Sequence, residues 1–101
     1  MIVLKNKILV INNRRTSMRL CSEEWNALGY ICKKENINRN TLIENLDSIK
    51  VDNMGLTSLT RLFLLLYYQN MANPPKDLQN SASLLSYTFE RFKVCGINIT
   101  K

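Results

Sequence analysis

RRTSMRLCSEEWNALGYICKKENINRNTLIENL, residues 14–46, is the stretch that decides the fold. Its opening alternates. Arg15, Ser17 and Arg19 point one way and Thr16, Met18 and Leu20 the other, giving a strand with one polar, cationic face and one face ready for burial. Ser22 then reads as an N-cap, with Glu23 and Glu24 in a first turn where the helix dipole favours negative charge. Trp25, Leu28, Ile31 and Cys32 recur at three- and four-residue spacing, one apolar stripe on a helix ending near Lys34. Asn36 stands where a left-handed cap residue is expected, and Asn38 or Asn40 caps a second helix carrying Leu42, Ile43, Leu46 and Ile49. One strand and two short helices cannot close a core, so this pattern calls for a second copy.

Upstream, Lys7 to Ile11 (KILVI) is apolar and β-branched, hence strand-like. Asn12-Asn13 tolerates positive φ, so residues 7–20 fit a hairpin within one chain. Downstream, Val51 to Gly55 reads as a connection, and a third helix runs from about Leu56 to about Asn70. Its centre, Leu62 to Tyr68, is apolar on all sides and should be enclosed by other elements or by a partner chain. ANPPK, residues 72–76, breaks the helix, the polar stretch to Ser81 reads as a loop, and Ser83 to Phe92 as a last helix without one clean stripe.

The totals bound the function. At 101 residues and 46% hydrophobic the chain folds, but its core is limited and oligomerisation is a common remedy. The apolar start is cut by Lys5 and Lys7, against a signal peptide, and the longest apolar run is far short of the roughly 20 residues that span a membrane. A cytoplasmic protein is expected. Three cysteines (Cys21, Cys32, Cys95) without CxxC spacing, and no histidine, point to buried free thiols, no metal site and no cofactor. The missing histidine removes the commonest general base, and no lysine, carboxylate or tyrosine cluster replaces it, so no enzyme is expected. Charge is uneven: residues 1–40 carry a net +5 of the total +6, which suggests an anionic partner for that half.

TSMRL, then SEEWNALGYICKKE, then NINRN, then TLIENL resembles the ribbon-helix-helix family. RTS-x-RL, W-x-AL, N-x-LI-E and Gly55-Leu56-Thr57-Ser58 before an apolar helix are similar to its bacterial subgroup with a short upstream strand and a further helix. The resemblance implies a mainly α fold with a short β-strand: an intertwined homodimer with an intermolecular antiparallel ribbon, plus one or two C-terminal helices. Residues 1–50 would be the module with its upstream strand, and 51–101 a helical extension packed on the module or the dimer mate.

The resemblance also implies a transcriptional regulator that binds double-stranded DNA through the ribbon in the major groove. Arg15, Ser17 and Arg19 would meet base edges, and Arg14, Asn38, Arg39 and Asn40 phosphates. Thr16, Met18 and Leu20 would pack beneath, against Trp25, Leu28, Leu42 and Ile43. The same three outward residues also suit an ordinary solvent-facing strand. The alternative is a dimer, or a higher oligomer, used as a protein-interaction or antitoxin-like module without sequence-specific reading. If Lys7 to Ile11 pairs within the chain, the dimer sheet has four strands. It then spans about 14 Å between outer axes at a spacing of about 4.8 Å, against a groove about 12 Å wide, and would not enter that groove as a two-stranded ribbon does.

Overall fold

A computed structural model describes residues 3–49, 54–74 and 84–99, with side chains in the last helix described to Arg91. Among these residues two strands, β1 (Leu4–Ile11) and β2 (Arg14–Cys21), precede four helices: α1 (Ser22–Glu35), α2 (Arg39–Ile49), α3 (Leu56–Ala72) and α4 (Leu84–Ile99). The mainly α class with a strand-helix-helix core and further C-terminal helices is therefore as expected from the sequence. The parts of the linkers expected over 51–53 and 75–81 lie outside the described residues, as do Ser83, expected to open the last helix, and the side chain of Cys95.

The upstream strand pairs within the chain. β1 and β2 are antiparallel, from Ile11 opposite Arg14 to Leu4 opposite Cys21, and β1 begins three residues before the expected Lys7. Asn12 (φ 53°) and Asn13 (φ 63°) make the two-residue turn. A type I′ turn needs positive φ at both positions, and asparagine tolerates it better than other side-chain-bearing residues.

The hairpin's inner face carries Leu9, Ile11, Met18 and Leu20, all buried, with Thr16 half-buried. They close onto Trp25, Leu28 and Ile31 of α1, Leu42, Ile43 and Leu46 of α2, and Leu59, Phe63, Leu64 and Tyr67 of α3. Met18 and Leu20 share one core cluster with Trp25, Leu28, Leu42 and Ile43, as expected, while Thr16 stays outside it.

Helix ends show where local reading stops short. The cap of α1 is Cys21, not Ser22: the strand runs one residue further, and the Cys21 N–H donates to Glu24 Oε1 at 2.9 Å. Asn36 closes α1 at φ 54°, as its position suggests, and the Ile37 N–H returns to the Cys32 carbonyl at 2.9 Å. Asn38 caps α2, its Oδ1 accepting the Asn40 N–H at 2.8 Å. α4 runs to Ile99, past the expected Phe92, because one internal glycine (Gly96) costs only about 1 kcal/mol and does not end a helix. It lies on α3, with the Phe63 and Phe89 rings 5.3 Å apart and Asn70 Nδ2 donating to Thr88 Oγ1 at 3.2 Å.

Candidate nucleic-acid interface

Register fixes the outer face of the hairpin. Arg15, Ser17 and Arg19 stand there exposed, in order along β2, and their cross-strand neighbours are Val10, Ile8 and Asn6. The face is thus a cationic column beside an apolar one, with Ile8 57% and Val10 58% exposed. That apolar column is the feature sequence reading missed. The alternation of KILVI carries the signal, since Leu9 and Ile11 cannot be inward without turning Ile8 and Val10 outward.

The two sheet edges differ. In a two-residue hairpin the pair flanking the turn is hydrogen-bonded, and bonded and non-bonded pairs alternate from there. Arg15, Ser17, Arg19 and Cys21 consequently turn their backbone groups toward the free edge of β2, and Asn6, Ile8 and Val10 toward that of β1. The hydrogen bonds follow the same alternation: the Ser22 N–H donates inward to the Val3 carbonyl (3.1 Å), while the Arg19 carbonyl accepts from Arg61 Nη2 (3.5 Å) at the free edge. Lys5 and Lys7 share the core-facing side of β1 with Leu9 and Ile11. Inward charges on an edge strand discourage further pairing. The corresponding side of β2 beyond Arg14 carries Thr16, Met18 and Leu20, so β2 has no such protection.

Long-range polar contacts hold the hairpin at both ends. At its tip the Asn12 N–H donates to Glu44 Oε2 (3.1 Å), Asn12 Nδ2 to Asp47 Oδ2 (3.3 Å), and Arg14 pairs with Asp47 (3.3 Å). At its base Glu24 accepts from Cys21 through one oxygen and from Arg61 Nε through the other, the latter at 2.9 Å. Burial alone would push the Glu24 carboxyl up. The Cys21 N–H, the Arg61 guanidinium and the Cys21 thiol outweigh it and hold the group below its ordinary value of 4.5.

A second cationic group lies at the start of α2. Lys7 Nζ stands 5.2 Å and Arg39 Cζ 5.5 Å from the centroid of the Trp25 ring, whose Nε1 donates to the Lys5 carbonyl at 2.9 Å. Asn38, Arg39 and Asn40 are adjacent there, at a helix N-terminus whose dipole favours an anion, although the Asn40 N–H is already taken by Asn38. Arg14 is not with them. Its partner Asp47 is eight residues further along α2 than Arg39, about 12 Å at 1.5 Å per residue. The ion pair engages one nitrogen of a guanidinium that has five donors.

Elsewhere, Tyr67 is buried and donates to Glu35 Oε2 at 2.6 Å; burial first, then that carboxylate, pushes its hydroxyl far above the ordinary value. Cys21 and Cys32 are free and half-buried rather than fully buried, and burial raises the Cys32 thiol. Among the described residues no group of His, Cys, Asp and Glu could hold a metal ion, and no helix is long and apolar enough to cross a membrane.

Comparison with known proteins agrees with this geometry. A search of curated proteins and a search of solved structures each find no match. The family model of the ribbon-helix-helix domain matches residues 4–68, from the first residue of β1 to the last turns of α3. The chain belongs to the ribbon-helix-helix family.

Proposed function

We propose that this chain is a homodimeric DNA-binding regulator that reads DNA with the outer face of β2. Ribbon-helix-helix domains typically form dimers and bind DNA, and are commonly regulators or antitoxins. One observation carries the reading: Arg15, Ser17 and Arg19 are exposed in a row along the outer edge of the sheet, which Arg61 meets only at the Arg19 carbonyl and Glu24 at the Cys21 N–H. Two copies of β2 paired antiparallel about Ser17 bring Arg15 opposite Arg19 of the partner subunit. Like charges directly opposite one another repel, and a polyanion laid across them relieves that repulsion.

In the groove, arginine bonds guanine O6 and N7 in pairs, and serine serves as donor or acceptor. Asn38, Arg39 and Asn40 take a phosphate at the start of α2, and Arg14 takes another at the hairpin tip through the donors its ion pair leaves over. The reaction is binding alone, with no catalytic step and no cofactor. Duplexes selected by the protein from a random pool supply the specific ligand. Arg15→Ala and Arg19→Ala each weaken its binding by about 1–3 kcal/mol, with the assembly unchanged by sedimentation. Undiminished affinity in the double variant rejects the base-reading role.

Ile8 and Val10 support a second reading, a sheet face that holds another protein. Their exposed apolar side chains border the arginine column where a phosphate-facing surface would carry polar groups. The cytoplasm, where a regulator meets its operator, is the compartment this proposal assigns.

A further inference from the structure

One face of α3 remains unexplained by packing within the chain. Arg61, Leu65 and Gln69 follow one another at one-turn spacing and are all exposed, Leu65 at 56%, while Leu62 and Leu66 beside them are half-buried. The whole helix holds a single charged residue, Arg61. Leu65 is the large apolar member of that row, exposed between Arg61 and Gln69 and bordered by the half-buried Leu62 and Leu66.

The position of Arg61 points to what meets that row. Its guanidinium touches the Arg19 carbonyl on the free edge of β2 as well as Glu24, so the row begins where that edge ends. With β2 paired antiparallel about Ser17, the partner's hairpin turn falls opposite Cys21 and Ser22. That turn is fixed to the C-terminal half of α2 by Glu44 and Asp47. The partner's α2 therefore arrives beside α3 on the same side of the joined sheet, and its carboxylates arrive near Arg61.

We propose that the outward row of α3, centred on Leu65, docks against the C-terminal half of α2 of a second copy, so that one partner closes both the strand edge and the helix face. The inference rests on the homodimer reading and extends it to an element beyond the strand and two helices.

Sedimentation of the full chain over a dilution series, with wild type beside Leu65→Asp, tests it. The wild type is dimeric, and the variant, with unchanged helical circular dichroism, dissociates at a concentration at least 30-fold higher. A wild type monomeric throughout overturns the homodimer reading itself. A dimer as tight in the variant as in the wild type overturns only the role of α3. A photoreactive phenylalanine analogue at position 65 gives the independent measurement, using a mixture of isotopically labelled and unlabelled chains. Cross-links between differently labelled chains that map to α2 are expected. Cross-links confined to one chain, or mapping to another element, reject the contact.

Discussion

Glu24 does three things with one carboxylate: it caps α1, holds the base of the hairpin, and pairs with the lone charge of α3. Because the folded protein holds this carboxyl below its ordinary 4.5, the unfolded chain takes up the proton first as pH falls. The stabilisation is complete above about that value and is lost as the pH drops through the lower, folded value. Glu24→Gln cannot titrate and loses the charge opposite Arg61, which is partly solvent-exposed and so contributes modestly. Cap and pair together make the variant about 1 kcal/mol less stable at pH 7. Urea midpoints taken between pH 7 and pH 3 should show the two proteins converging as the medium becomes more acidic than 4.5. A gap that stays constant would mean that Glu24 is not the acid-sensitive group.

At the scale of elements, the hairpin depends on a turn in which both residues are left-handed, Asn12 at φ 53° and Asn13 at φ 63°. Asn13→Ala removes the tolerance of asparagine for that region and should cost about 1 kcal/mol. Asn13→Gly should recover that loss, because glycine adopts positive φ freely. Equal stability of the two variants in denaturant would mean that the turn is not strained by a Cβ.

This hairpin also shows what the sequence made legible. The alternation of β2, the turn at Asn12-Asn13, the stripe of α1 and the cap at Asn36 are local patterns, each spelled within a few residues. Asn12 to Glu44, Arg14 to Asp47 and Glu24 to Arg61 were not legible, since they join residues more than thirty apart whose meeting depends on how helices pack against the sheet. The expectation of Ser22 as cap failed for the same reason. Ser22 is chemically the better cap, but β2 extends to Cys21 and Glu24 selects the Cys21 N–H. Arg61 did leave a trace: one charge in an otherwise neutral helix implies a fixed partner.

For the whole molecule, the question is what two extra strands do at a groove made for a two-stranded ribbon. In the proposed twofold sheet β1 would lie one and a half strand spacings from the axis, about 7 Å at a spacing of about 4.8 Å. On the proposed reading the central pair would enter a groove about 12 Å wide, with each β1 at its rim beside the phosphates. Ile8 and Val10, outward at that rim, gain nothing from the polyanion. Replacing both by lysine adds up to four cations per dimer at a position where phosphates pass. Affinity for the selected duplex should rise at least tenfold at low salt. The slope of log K against log salt should steepen by about 0.9 for each new contact. An unchanged slope would place β1 clear of the DNA. The apolar column beside Arg15 and Ser17 would then have to be covered by protein, because a surface that only met water and nucleic acid would have no use for it. A weaker complex would be more severe, since it would mean that the arginines cannot face DNA while β1 flanks them.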